Sequence, residues 1–334
     1  MTNKIKELFP LGQSIWYDNI QRGMFKSGEL QDLIDQGVVG VTSNPTIFER
    51  AIVGSQDYDE ALKSMAEEGF DLDTIYETLV LGDIGMTADL LLPVYQRTQG
   101  GDGYISLEVR PTLANDTAGT IAEAQRLFNA LDRPNVMIKV PATPQGVPAI
   151  ESLIAAGVNV IVTLIFSIPQ YEAVAVAYIA GLEQRAAAGG DVSAVASVAS
   201  FFISRVDTVV DRQLEELGET ALQGVIGVAN AKVAYTWFKE IFSGERWEAL
   251  TARGARVQRP LWASTGTKNP AYSDTLYLDE LIGPHTVNTV PPATLQAFLD
   301  HGVVASTLES DLEGARAQLT ALAELGVDLN AITE

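Results

Sequence analysis

The sequence predicts a single (β/α)8 TIM barrel with extra helices, occupying residues 1–334 as one domain. Short runs rich in β-branched and aromatic residues alternate with longer stretches of helical period, which is typical of repeated βα units and a parallel sheet. Eight such units fit a closed barrel better than an open, doubly wound sheet. No Gly/Ser linker, charge block or low-complexity tract divides the chain.

The predicted strands are counted from runs of apolar, β-forming residues. They are Ser14–Asp18, Val38–Thr42, Tyr104–Arg110, Val136–Val140, Val158–Leu164, Val195–Phe202, Pro260–Ser264 and His285–Thr289. The long gap between the second and third strands, from Gln56 to Arg97, predicts additional helices. A second such region runs from Thr220 to Phe242.

Alternation along each strand separates side chains that face the helices from those that face the barrel interior. In most strands the apolar residues take one parity and the polar residues the other. Strand parity also places Thr42 and Arg110 inside. The polar side chains expected to converge near the C-terminal strand ends, where barrel active sites lie, are Asp18, Asn44, Glu108, Lys139, Thr163, Ser204 and Ser264.

Composition excludes several classes of site. The chain has no cysteine and two histidines, His285 and His301, so thiolate chemistry is excluded and a histidine-rich metal centre or a serine triad is disfavoured. The net charge of -21 argues against nucleic acid or an anionic membrane as a partner. No signal pattern or long apolar run stands out, so we expect a cytoplasmic protein without a membrane span.

Lys139 is the most informative residue, because it interrupts the run Val136-Met137-Ile138-Lys139-Val140-Pro141, which is predicted to be a buried strand. Desolvation can lower a lysine pKa by up to about 3 to 5 units. A neutral amine can then attack a carbonyl and form a Schiff base. The alternative is a lysine that reaches the strand end with its ammonium or pairs with a carboxylate. This segment alone leaves both interpretations open.

One lysine, two carboxylates and several small polar groups form the set that imine chemistry on a sugar requires. Asp18 is the first candidate for proton transfer, and Glu108, through a water held by Thr163, is the second. Asn44 and Ser204 are candidates for binding sugar hydroxyls. The alternative is that the carboxylates only neutralise Lys139 and Arg110.

Two segments resemble the transaldolase family. Residues 40–48, Gly-Val-Thr-Ser-Asn-Pro-Thr-Ile-Phe, match its T-[ST]-N-P signature, and residues 136–153 match the segment around its Schiff-base lysine. The similarity extends through residues 14–19, 106–110, 163–167 and the region of Ser264, and so covers nearly the whole chain.

The resemblance implies a (β/α)8 barrel with the imine lysine, Lys139, on the fourth strand. It implies that Asp18 is the general acid/base and that Glu108 and Thr163 position a catalytic water. It also implies transfer of a dihydroxyacetone unit between sugar phosphates without a metal or organic cofactor, by a monomer or small homo-oligomer. Thr42, Asn44 and Ser204 are the expected substrate contacts.

The chain departs from the family pattern at three places. Ile161 stands where many members have an asparagine, two residues before the catalytic threonine. The candidates for the phosphate site are Arg205, Ser264 and Lys268, with altered spacing. The chain ends where the family usually continues into a helix over the site, and if that helix is absent the site would be wetter.

Two rival functions remain open. A fructose 6-phosphate aldolase of the same superfamily would release free dihydroxyacetone, although Glu108 favours transfer because those aldolases carry an amide there. The other rival is a catalytically silent barrel that binds sugar phosphates.

Overall fold

The computed structural model describes residues 3–333 and forms a closed barrel of eight parallel strands in the order β1 to β8. The predicted fold class is confirmed. The strands are β1 Gln13–Tyr17, β2 Gly40–Val41, β3 Tyr104–Glu108, β4 Val136–Pro141, β5 Val160–Ile165, β6 Ser197–Phe202, β7 Arg259–Ala263 and β8 Thr286–Val290.

All eight predicted runs overlap a strand, but their ends differ. β2 has two residues where five were expected, and β3 ends at Glu108, two residues before the predicted end. Asp18 lies one residue beyond β1, and its N–H still donates to the Val290 carbonyl at 3.0 Å. Strand ends depend on ladder partners in neighbouring strands, which local sequence patterns do not encode.

Helices surround the barrel in chain order. They are α1 Lys4–Leu8, α2 Gly23–Ser27, α3 Glu29–Gln36, α4 Pro45–Gly54, α5 Asp59–Glu67, α6 Leu72–Arg97, α7 Thr117–Leu131, α8 Gly146–Ala156, α9 Ile168–Ala187, α10 Ser204–Leu217, α11 Ile226–Ile241, α12 Gly244–Thr251, α13 Leu276–Asp279, α14 Pro292–His301, α15 Leu312–Glu324 and α16 Leu329–Thr333. The extra helices predicted in residues 56–97 and 220–242 are α5 with α6, and α11.

Helix α6 is long and apolar enough, with a mean hydropathy of 1.3, to cross a membrane by length and composition. Half of its most apolar window is buried inside the structure, where residues such as Ile84, Ala88 and Leu91 belong to the main core. The helix is therefore accounted for by packing against the barrel.

The strands pair so that the predicted inward residues share one face. Ser14 lies beside Val287, Glu108 beside Lys139, and Lys139 beside Ile161. Trp16 covers Gly40, where a Cβ atom would stand 2.6 Å from the indole ring. Glycine is therefore required at position 40, and the barrel interior is filled by side chains rather than open.

Candidate active site

Lys139 lies inside the barrel near the C-terminal end of β4, and its side chain is 11% exposed. Its Nζ lies 3.4 Å from Oε2 of Glu108 on the adjacent strand. It also donates to the main-chain carbonyl of Ser43 at 3.3 Å. The ammonium thus has one carboxylate and one carbonyl as neighbours. Both contacts are longer than a typical hydrogen bond, so a ligand can compete for the ammonium.

Asp18 is held at the end of β1 by Thr42, whose hydroxyl donates to Oδ1 at 2.7 Å. Thr42 has a single hydroxyl proton, so Thr289, 2.5 Å away, is the donor in the contact between the two threonines. Burial raises the pKa of the Asp18 carboxyl, while the Thr42 hydrogen bond and the charges of Lys139 and Lys268 act in the opposite direction. A carboxyl with a raised pKa is well suited to exchanging protons near neutral pH.

Thr163 lies on β5, next to the strand that carries Lys139, and is almost fully buried. The register between β5 and β6 shifts between Val162 and Ile165, and Leu164 has a φ of 61°. A leucine in the left-handed region marks a local irregularity of the kind that redirects side chains beside active sites. The Thr163 hydroxyl makes no hydrogen bond within residues 3–333, which leaves it available to a bound molecule.

Asn44 begins α4 as its N-cap, and its Oδ1 accepts from the Ile47 N–H at 3.0 Å. This bond orients the side-chain amide at the strand end that follows β2. The amide nitrogen has no hydrogen-bond partner in the described part of the chain, so it can donate to a substrate hydroxyl.

The candidate phosphate residues lie at the ends of β6 and β7. The hydroxyls of Ser204 and Ser264 are 2.8 Å apart, and Ser264 has a φ of 57°. Arg205 is exposed, and its guanidinium lies 4.8 Å from the centre of the Phe202 ring. Lys268 is exposed, yet its charge acts on Asp18. Arg205 and the hydroxyls of Ser204 and Ser264 thus lie at the start of α10, and Lys268 lines a cavity with Asp207 and Thr208 of the same helix.

The prediction for Arg110 is wrong. Its side chain is 58% exposed and lies outside the barrel, where it pairs with Glu77 and Glu123 at 3.6 and 3.5 Å. Because β3 ends at Glu108, the alternation that placed Arg110 inside does not extend to it.

The hydrogen bonds that support Lys139 from below were not predicted from the sequence. The Ser43 N–H donates to the Ser106 hydroxyl at 3.1 Å, while the Ser43 hydroxyl donates to the Ser106 carbonyl at 2.6 Å. This pair fixes the carbonyl that faces Lys139. A main-chain acceptor leaves no residue-type signal, and only the position of Ser43 inside the T-S-N-P segment could have indicated it.

The other buried lysine, Lys232, lies on α11 as predicted for a helical segment, and its Nζ pairs with Glu280 at 3.1 Å. Its partners, Glu280 and Ser310, are not among the residues around Lys139, so Lys232 is a control for a buried ammonium. Among residues 3–333, no three His, Asp or Glu side chains are grouped so that they could hold a metal ion.

Comparison with known proteins gives one family. The model of the Transaldolase/Fructose-6-phosphate aldolase family matches residues 15–334. A transaldolase from Acidothermus cellulolyticus is 50% identical over 338 residues, covering all of this chain and 91% of the relative. One from Thiobacillus denitrificans is 50% identical over 334 residues, covering 99% and 93%. One from Trichodesmium erythraeum is 48% identical over 342 residues, covering 99% and 90%.

These matches extend over the strands that carry Lys139, Glu108 and Thr163, and they agree with the closed eight-stranded barrel. The resemblance deduced from the sequence motifs is confirmed, and the chain belongs to the transaldolase/fructose-6-phosphate aldolase family.

Proposed function

We propose that this protein is a transaldolase, a transferase that moves a three-carbon dihydroxyacetone unit from a ketose phosphate to an aldose phosphate through an imine on Lys139. The observation that carries the proposal is the position of the Lys139 ammonium. It lies in the barrel interior, 3.4 Å from Glu108 and within electrostatic reach of Asp18, where the ends of three strands meet.

The donor is sedoheptulose 7-phosphate or fructose 6-phosphate. The Lys139 amine attacks the ketone carbon, and loss of water from the carbinolamine gives the protonated imine. Glu108 and Thr163 hold the water that exchanges in this step. Asp18, oriented by Thr42, then removes the proton of the C4 hydroxyl, the C3–C4 bond breaks, and its electron pair passes into the imine to form an enamine.

The aldose phosphate leaves, and the acceptor, glyceraldehyde 3-phosphate or erythrose 4-phosphate, takes its place. The enamine carbon attacks the acceptor aldehyde, Asp18 returns the proton to the new hydroxyl, and water hydrolyses the imine. The sequence of covalent steps predicts ping-pong kinetics. The protonated imine is the electron sink, so the reaction as proposed needs no metal or organic cofactor.

The phosphate end of each substrate is proposed to bind at the N-terminus of α10. There the partial positive charge of the helix adds to the charges of Arg205 and Lys268. Ser204 and Ser264 supply hydroxyl donors, and Asn44 donates to a hydroxyl of the sugar chain. These few cations concentrate positive charge at one point of a chain whose net charge is -21.

The remaining proposals concern the protein as a whole. Residues 1–334 act as one barrel domain, as a monomer or small homo-oligomer, with sugar phosphates rather than nucleic acid or membrane as partners. The cytoplasm is the proposed location, since phosphorylated sugars are formed there and their charge retains them. Within the described residues, Leu329 and Ile332 of α16 pack against a cluster that includes Val206 and Leu322. A further covering helix stays a prediction.

Borohydride reduction in the presence of fructose 6-phosphate tests the proposal, with intact and peptide mass analysis. A three-carbon adduct confined to the Lys139 peptide is expected, because reduction fixes the imine. Lys139→Met should abolish the adduct, whereas Lys232→Met, which removes the other buried ammonium, should retain it. Active, folded protein without any adduct would refute the imine mechanism.

The second candidate, a fructose 6-phosphate aldolase, differs in one product. Glu108 favours transfer, since its carboxylate lies beside the imine lysine where the related aldolases carry an amide. Release of free dihydroxyacetone from fructose 6-phosphate, measured without an acceptor, should be slow compared with transfer to glyceraldehyde 3-phosphate. Sugar-phosphate binding with neither adduct nor turnover would instead identify a silent barrel.

A further inference from the structure

The loop between β7 and α13, residues 264–275, carries both Ser264 and Lys268, and it is tied to α10 at its start. The Ser204 N–H donates to the Ser264 carbonyl at 3.2 Å, and the two hydroxyls are 2.8 Å apart. Thr265 is also buried, and its hydroxyl donates to the Thr289 carbonyl at 3.0 Å, but the loop then reaches the surface and Lys268 is exposed. The first tie therefore fixes Ser264 but leaves the position of Lys268 to be set by something else.

A second tie lies four residues after Lys268. The Tyr272 hydroxyl donates to Oδ2 of Asp211 on α10 at 2.7 Å. The other oxygen of Asp211 accepts from the Gly224 N–H at 2.9 Å. The ring of Tyr272 lies against Gly224, where a Cβ atom would come within 2.6 Å of the ring and where φ is 70°. Glycine is needed there for both reasons.

A third tie repeats the same chemistry one helical turn earlier. The Tyr277 hydroxyl donates to Oδ2 of Asp207 at 2.8 Å, and the Gly227 N–H donates to Oδ1 at 2.6 Å. Asp207 and Asp211 are four positions apart on α10 and so lie on one face of the helix. Each carboxylate joins one tyrosine of the β7–α13 region to one N–H at the start of α11.

These carboxylates are buried without a cation. Asp207 is 1% and Asp211 8% exposed, and neither forms an ion pair with any residue in the range 3–333. A buried carboxylate without a counter-charge is unfavourable for stability, so two of them in one place require another reason. A cavity of about 240 Å³ lies beside them, and Lys268, Asn269 and Tyr272 are part of its wall.

We propose that Tyr272 and Asp211 are positioning residues, which hold residues 264–275 so that the Lys268 ammonium stays at the barrel mouth and binds the phosphate of the substrate. The inference rests on the proposed function and adds to it the residues that set affinity for the phosphate group. Tyr272 acts through Lys268 and touches no reacting atom. Without the tie, the part of the loop around Lys268 is held only by contacts further along it, such as Thr265 to Thr289 and Asp274 to His301, so substrate binding must order that part and loses affinity.

The pattern of effects distinguishes positioning from a general structural role. Tyr272→Phe removes the hydroxyl that bonds Asp211 and keeps the ring against Gly224. We expect it to weaken fructose 6-phosphate binding, measured by calorimetry, about tenfold, the size of one hydrogen bond to a charged group. Asp211→Asn retains an acceptor and a donor at the same place, so it should weaken binding less than Tyr272→Phe.

A double-mutant cycle with Lys268→Ala tests whether the effect passes through Lys268. In the Lys268→Ala background, Tyr272→Phe should leave the fructose 6-phosphate Kd unchanged, because the group that it positions is gone. An equal loss of affinity in both backgrounds would overturn the proposal. Tyr178→Phe is the matched control, since it removes a 2.8 Å hydrogen bond to the Arg256 carbonyl elsewhere in the protein and should leave the Kd unchanged.

Trapping of unphosphorylated dihydroxyacetone on Lys139 by borohydride separates this inference from the proposed function. Tyr272→Phe should trap it as well as the unchanged protein does, because this ligand has no phosphate. Reduced trapping by the variant would overturn the positioning role. No trapping by the unchanged protein would refute the imine mechanism, while the calorimetric cycle would still test the tie.

Discussion

At the N-terminal end of the barrel, the Asp102 carboxylate accepts from several donors, whereas at the C-terminal end Lys139 is the one cation paired with Glu108 within residues 3–333. Asp102 accepts from the Ser14 hydroxyl at 2.8 Å and from Trp16 Nε1 and Arg259 at 2.9 Å. Arg259 also donates to the Ser14 hydroxyl and to a main-chain carbonyl. This network closes the lower end of the barrel.

At the C-terminal end, Lys139 and Thr163 make fewer hydrogen bonds than Asp102 does. Lys139 has two neighbours at 3.3 and 3.4 Å, and the hydroxyl of Thr163 has no hydrogen bond to residues 3–333. The Asp102 network is satisfied internally, although the side-chain oxygens of Gln13 and Gln258 near the same end have no partner within residues 3–333, whereas the groups around Lys139 retain bonding capacity beside the C-terminal strand ends. Buried polar groups that satisfy one another stabilise a fold, while those left partly unsatisfied are available to a ligand. Substitutions at the two ends should therefore affect different quantities.

The largest effect is expected for Asp18→Asn at the C-terminal end. Loss of the proton-transferring carboxyl should lower kcat about 10²- to 10⁴-fold. The free energy of unfolding at pH 7 should stay the same or rise, because burial raises the Asp18 pKa and so disfavours its ionised form in the folded protein. Transfer kinetics and denaturant titration measure the two quantities. A variant that unfolds easily but retains its kcat would show that Asp18 supports stability rather than proton transfer.

The opposite pattern is expected for Asp102→Ala at the N-terminal end. Arg259, 17% exposed, would keep its charge without a partner, so unfolding should become easier by about 3 to 5 kcal/mol. Asp89→Ala removes a similarly spaced partner from the more exposed Arg133 and should cost about 0 to 1 kcal/mol. Denaturant titration compares the two variants. Activity per folded molecule should change in neither variant. A selective loss of turnover in Asp102→Ala would contradict the expectation that the N-terminal end affects stability and not activity.

A smaller effect concerns the pH dependence of stability and depends on the carboxyl of Asp207, on α10. Burial raises its pKa from 3.8 to about 6. Between these values the folded protein keeps a proton that the unfolded chain has lost, so this group makes stability fall as pH rises through the window, by on the order of 3 kcal/mol.

Asp207→Asn removes that titration, although it also weakens the tie to Tyr277 and lowers stability at all pH values. The difference in unfolding free energy between the two proteins should therefore be largest near pH 4 and become smaller towards pH 7. Denaturant titrations at several pH values measure it. A constant difference across this range would show that Asp207 does not titrate there.

The residues inside the barrel were predictable to the extent that strand alternation held. Lys139 and Glu108 lie in regular strands and face inward as expected, and Thr163 keeps its pairing with β4 although the register of β5 to β6 shifts around it. Arg110 was misplaced because β3 had already ended, and Ser264 shares its strand parity with Trp262, which faces the helices, yet reaches Ser204 through a left-handed backbone. Alternation gives no information beyond a strand end or at such a backbone change.

The sequence by itself determined the eight βα units, the family, and the one lysine in an apolar strand, because these depend on local periodicity and on short motifs. Tertiary structure alone decided which groups satisfy one another. Asp102 meets Arg259 from 157 positions away, and Ser43 meets Lys139 from 96 positions away. Such contacts exist only after the barrel closes, since closure sets which strand ends are neighbours and so which polar groups remain free for a substrate.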